Sequence, residues 1–226
     1  MDKIWIIIVV IVFALVFLPK IGKITQYVST LFHEVGHVVG SFVTGGGASS
    51  IKLHKDTSGV AGTTHRVGAG GFVSRTFTVL SGYATPVNLG AILVGLSFTE
   101  WVNVGIGIIC LFSIIAFLLI RNLFGLLVTV SFLGLLAFLV FIPTPLTFSN
   151  IVLFFGALVF LNGVKDVYQI APYTFKKTID ENNLSDFHIL ATDSIFPAKV
   201  WFVIFIIGEM IFFTSVVTLL ISLPIT

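Results

Sequence analysis

The 226-residue chain is 57% hydrophobic and only 10% charged, with a mean hydropathy of +1.12, whereas an ordinary soluble domain is about a quarter charged. A net charge of +2 gives no basic surface for nucleic acid, and a single cysteine, Cys110 inside an apolar run, excludes an intrachain disulfide and a Cys-rich metal centre. What remains is a chain whose solvent is largely lipid.

Seven apolar stretches follow in chain order, at residues 4–18, 24–44, 76–96, 102–120, 123–142, 151–167 and 201–223. Backbone polar groups cannot face lipid unpaired, so each is expected to be helical, and a span needs about 20 apolar residues. The first stretch is short and runs into Pro19-Lys20 without a small-residue cleavage pattern; it reads as an uncleaved anchor. The third contains Pro86 and Asn88. The expected fold is an all-α polytopic membrane protein of about seven transmembrane helices, forming one domain over residues 1–226.

Polar segments interrupt the pattern. Residues 45–75 are rich in Gly, Ser and Thr. Ile51-Lys52-Leu53-His54 alternates, Asp56-Thr57-Ser58-Gly59 has turn chemistry and residues 60–64 can return, which predicts a small β-hairpin. Phe141-Ile142-Pro143-Thr144-Pro145 reads as a sharp loop, and residues 171–199 as a second polar loop. With seven spans, ten of the Lys and Arg residues fall on one side and only Lys20 and Lys23 on the other. The hairpin and the late loop are therefore expected to be cytoplasmic.

The chemistry concentrates in the second stretch, at His33-Glu34-Val35-Gly36-His37. On a helix, residues four apart share a face, so His33 and His37 can hold one Zn²⁺ while Glu34 serves as general base toward water. Ionisable residues at membrane depth are costly and mark function. Catalytic zinc takes a third protein donor. Asp166, in Asn162-Gly163-Val164-Lys165-Asp166, is the expected one because its span should bring it to the depth of the histidines, with Asp186 in the following loop as the alternative. Asn88 could orient a substrate or bond another helix, and Glu209, inside the last stretch, could act near the metal or make a structural hydrogen bond. Gly82, Gly90 and Gly95 suit close helix contact; His54 and His65 are expected to face solvent, and His188 to pair with Asp186.

These residues resemble the site-2 protease family of intramembrane zinc metallopeptidases, and more narrowly its small bacterial branch. The likeness rests on Leu31-Phe32-His33-Glu34-Val35-Gly36-His37-Val38-Val39-Gly40, on the β-segment that follows, on the small-residue stretch from Ser81 to Gly90, and on the Asp-bearing region from Asn162 to Trp201. The Leu-Asp-Gly that carries the third ligand in better-known members is missing. The resemblance implies zinc-dependent cleavage of a transmembrane protein substrate within the bilayer, with Glu34 catalytic, in a bacterial plasma membrane. A non-catalytic metal-binding scaffold and a metal transporter of similar architecture are the alternatives.

Overall fold

A computed structural model describes residues 4–141, 147–175 and 185–222. The Pro143–Pro145 loop and Lys176 and Lys177 lie outside them. Seven long helices occupy the seven apolar stretches: α1 (Ile4–Phe17), α2 (Ile21–Val43), α3 (Gly71–Leu96), α4 (Val102–Leu119), α5 (Leu123–Phe141), α6 (Phe148–Phe175) and α8 (Ala198–Ser222). A short helix, α7 (Asp186–Thr192), lies in the late polar segment. The chain is an all-α polytopic membrane protein with one small hairpin.

Five of these helices (α3, α4, α5, α6 and α8) are long and apolar enough to cross a bilayer, and up to six spans result if α1 and α2 form one broken crossing. This differs from the expected seven. Fourteen residues of α1 rise only about 21 Å, short of a hydrocarbon core of about 30 Å. α1 and α2 are bent against each other by 98°. Apolarity identified both helices but carries no information on the turn between them. If α1 and α2 form one crossing, Lys3 moves to the other side and Lys20 and Lys23 fall within the crossing, while the later charges keep a common side.

The hairpin pairs β1 (Gly47–Leu53) with β2 (Gly59–Thr64), antiparallel. Asp56 Oδ1 accepts from the Ser58 backbone N–H at 3.1 Å and from its hydroxyl at 2.7 Å, and Thr57 takes the left-handed conformation (φ 75°) that closes the turn. The turn sits on α2: the Tyr27 hydroxyl donates to the Lys55 carbonyl at 2.7 Å and the Thr30 hydroxyl to the Thr57 carbonyl at 2.9 Å. The outer edge of β1 is covered, since Arg121 N–H donates to the Ile51 carbonyl and Asn122 brackets Leu53 with two hydrogen bonds. β2 has no second partner strand among the described residues.

α2 lies at the centre. Leu31, Val35 and Val38 pack with Ile51 and Leu53 of the hairpin and with Ala116 and Ile120 of α4 and the residue after it, while Phe32 joins the core of α3, α4, α5 and α6. The opposite face meets α3 through small residues. A Cβ on Gly36 would strike the Ser81 carbonyl and Thr85, and one on Gly40 the Ser81 side chain. α3 in turn rests on α6, where Gly90 and Gly163 face Phe160 and Pro86 too closely for a side chain. Without hydrophobic drive between helices in lipid, such small-residue seams let backbones approach and gain dispersion contact. The wide exposure of α8, α4 and α5 apolar residues, such as Leu118, Leu127 and Met210, fits a lipid-facing outer surface.

Candidate metal centre

His33 and His37 stand one turn apart on α2 and turn toward α3 and α7. Their Nε2 atoms are 3.1 Å apart, and Asp186 Oδ2 lies 3.3 Å from the first and 3.4 Å from the second. Donors held about 2.0–2.1 Å from one zinc at tetrahedral angles are separated by about 3.3–3.4 Å. The three atoms therefore form the triangle that a single tetrahedral ion requires, and they are the one group of three or more such donors among the described residues. Asp186 Oδ2 is buried without a hydrogen bond of acceptable geometry. A buried carboxylate oxygen facing two imidazole nitrogens is costly unless something positive lies between them.

The chain holds this triangle from three sides. His37 Nδ1 is 2.9 Å from the Thr78 carbonyl on α3. A carbonyl only accepts, so Nδ1 carries the proton and Nε2 keeps its lone pair for a metal. His33 is met edge-on by Tyr83, with ring centroids 4.6 Å apart. Gly82 has no side chain where one would strike both rings; a Cβ there would lie 2.8 Å from His33 Nε2.

Asp186 arrives through α7. Ser185 caps that helix in a capping box with His188, whose Nδ1 is 2.8 Å from the Ser185 hydroxyl. Phe187 is fully buried, stacked on Tyr83 at 5.2 Å and packed against Phe202 and Phe205. Burying one such ring is worth about 1.5–3 kcal/mol, and the residue before it is thereby turned onto the histidines. At its far end α7 is tied to α3 by the Arg75–Asp193 ion pair. Burial opposes the charge of Asp186, but His37 and His33 outweigh it and hold the carboxyl below the usual carboxylate range.

The other expected site residues fall as follows. Glu34 is buried beside the triangle; the Ala61 backbone on β2 hydrogen-bonds to it, and Gly59 leaves room for its carboxylate. Asp166 lies outside the donor group: its carboxylate accepts from Gln26 Nε2 at 2.8 Å and from the Ser29 hydroxyl at 3.3 Å, tying α6 to α2. Asn88 Nδ2 donates to Glu209 Oε1 at 3.1 Å, an interhelical bond between α3 and α8. His188 serves the cap of α7 rather than pairing with Asp186. His54 is exposed, but His65 is half-buried, lines the cavity, and has its tendency to protonate lowered by burial and by nearby Arg75. Tyr83 lies within the small-residue stretch from Ser81 to Gly90, and an aromatic amid Ser, Gly, Ala and Thr is the sequence signal that sets it apart.

All of these but Asn88, Glu209, His54 and His188 border one cavity of about 870 Å³, which reaches from His65 and Arg75 past the triangle to Gln26, Asp166 and Tyr173. Gly59, Val60, Ala61 and Thr63 of β2 form one wall.

A buried helix bearing HExxH, a third oxygen donor and an adjoining cavity in a polytopic membrane protein are the parts of a membrane peptidase. The family model described as Peptidase M50B-like matches residues 6–216, and the chain belongs to that family, as the resemblance to site-2 proteases led one to expect. No curated protein and no solved structure matches.

Proposed function

We propose that the protein is a zinc-dependent intramembrane endopeptidase acting on transmembrane protein substrates. The observation that carries this is the His33–His37–Asp186 triangle at zinc spacing beside Glu34. His33, His37 and Asp186 are the proposed metal donors, with Asp186 in place of Asp166. Bound zinc would supply a Lewis acid that polarises a carbonyl and lowers the pKa of water to about 7.

The chain's own residues do the rest. A substrate helix must unwind to be cut, and an extended segment would pair with the free edge of β2, whose residues line the cavity beside Glu34. Glu34 takes one proton from the attacking water as the C–O bond forms, and returns it to the nitrogen as the C–N bond breaks. Ser41 holds the hairpin in register with α2, its one hydroxyl proton shared between the Thr64 carbonyl at 2.6 Å and the Gly47 carbonyl at 2.9 Å. A scaffold or transporter would have no use for a carboxylate kept metal-free at this point. The family and the apolar helices support an integral membrane protein; its proposed location is a bacterial plasma membrane, and residues 1–226 are proposed as one peptidase domain.

The test is elemental zinc analysis of detergent-purified wild type, His37→Ala, Asp186→Ala, Asp166→Ala and Glu34→Gln, beside digestion of casein in the same detergent. Wild type and Asp166→Ala should each hold one zinc, Glu34→Gln should hold zinc without cleaving, and His37→Ala and Asp186→Ala should lose both. Zinc-free wild type, or retention of zinc by His37→Ala, would refute the reading.

A further inference from the structure

We infer that the hydroxyl of Tyr83 is the hydrogen-bond donor that stabilises the negative oxygen developing on the scissile carbonyl. The inference rests on the peptidase reading above and adds to it a residue outside the HExxH motif.

Hydrolysis of a peptide bond passes through a tetrahedral carbon: water oxygen adds, the carbonyl π pair moves onto the carbonyl oxygen, and that oxygen becomes anionic before the C–N bond breaks. A positioned donor at that oxygen is commonly the largest single contribution of a protein to such a step. Glu34 cannot fill this role, since a carboxylate only accepts when it is ready to act as base. Asp186 cannot either, and the imidazole N–H of His37 is spent on Thr78. Tyr83 borders the same cavity and has an O–H to give.

Its placement fits. The ring stands perpendicular to His33 with centroids 4.6 Å apart, and lies flat on Phe187 at 5.2 Å with an interplanar angle of 7°. One contact is to a proposed metal donor and the other to the residue next to Asp186, so the ring is registered to the triangle from both sides. Phe205 closes the ring's remaining side at 6.2 Å. The carboxylates of Asp186, Glu34 and Asp166 all lie within electrostatic reach of the hydroxyl. Yet it has no hydrogen-bond partner among the described residues, and it is not sealed from the cavity. A structural tyrosine in an apolar aromatic cluster normally bonds its hydroxyl or is replaced by phenylalanine. Here the ring is anchored as a phenylalanine would be, and the hydroxyl is left over on a side chain that borders the cavity.

Tyr83→Phe removes that hydroxyl and keeps both ring contacts. The probes are elemental zinc, casein cleavage in detergent, and the affinities of a phosphinic pseudopeptide, which mimics the tetrahedral carbon, and of a planar hydroxamate with the same side chains. The expected result is full zinc content, unchanged KM, a fall in kcat of about 100-fold, and a parallel loss of phosphinate affinity with hydroxamate affinity kept. Cleavage within threefold of wild type overturns the inference. So does a raised KM at unchanged kcat, which would make Tyr83 a substrate contact only, and so does loss of zinc from Tyr83→Phe. A wild type without zinc or cleavage would sink the peptidase reading itself, and is told apart because it appears before any variant is compared.

Discussion

Gly82→Ala should empty the metal centre while leaving the fold standing. The added methyl carbon would lie 2.5 Å from His37 Nε2 and 2.8 Å from His33 Nε2. Ordinary contacts begin at about 3.5 Å, so the two rings must retreat by roughly 0.7–1.2 Å, the most at His37 Cε1, which lies closer still. They are the ends of side chains and can swing, so overpacking should cost no more than about 1–3 kcal/mol. The metal has less latitude, because ligand distances are held to about 0.2 Å. Retreat also breaks the His37–Thr78 hydrogen bond, at 2.9 Å, and presses His33 into Tyr83. Losing an orienting partner alone costs about 10–100-fold in metal affinity, and displacing two donors together should reach at least the upper end. Competition with a fluorescent zinc chelator in detergent reads the affinity, and circular dichroism with thermal melting reads the fold. A Gly82→Ala protein that melts like wild type and binds zinc within threefold of it would show that the triangle is not the metal site.

Three further outcomes follow from the same geometry. Gly59→Ala, whose methyl would press on Glu34 Oε1 at 2.6 Å, should cut casein cleavage about 10-fold or more while zinc stays bound, since a general base contributes about 10²–10⁴-fold and is here only displaced. Asp166→Asn should keep zinc, because an amide can still accept from Gln26 and Ser29; its loss of zinc on elemental analysis would return Asp166 to the ligand set. Glu209→Leu breaks the Asn88 bond between α3 and α8 and should lower the melting temperature only slightly, in line with about 0.6 kcal/mol, at most about 1.7, for such bonds in membranes; a collapse of the fold would give Glu209 a larger role.

What could be read in the sequence was whatever depends on neighbours along the chain. His33, Glu34 and His37 are set by the pitch of one helix, and the hairpin by the Asp56–Gly59 turn. Helix existence followed from apolar runs, though α3 begins at Gly71, earlier than Thr76, because Ser74 and Arg75 separate Phe72 and Val73 from the apolar run that follows. The angle between α1 and α2 was not legible, as each helix is apolar or amphipathic by itself and nothing local reports their relative direction. The position of Asp186 in the donor group is not legible for a related reason. Depth along a span can be counted in residues, which favoured Asp166. The path of a polar segment that folds back cannot be counted. It is decided through space by Phe187 finding Tyr83, Phe202 and Phe205.

The motif helix alone could not make this centre. HExxH supplies two nitrogens and a base, but the tautomer of His37 depends on a carbonyl of α3, and that carbonyl reaches it only because Gly36 and Gly40 let α3 lie against α2. The same close approach sets Gly82 under the rings and Tyr83 beside His33. Tyr83 then offers the flat face on which Phe187 docks, and Phe187 carries Asp186 to the third corner. The small residues of α3 together with its Tyr83 thus connect the HExxH helix to the proposed third donor. A change that breaks one of these contacts, such as Phe187→Ala, should be read out first as lost zinc and only afterwards as lost fold, whereas Tyr83→Phe, which keeps both ring contacts, should hold its zinc.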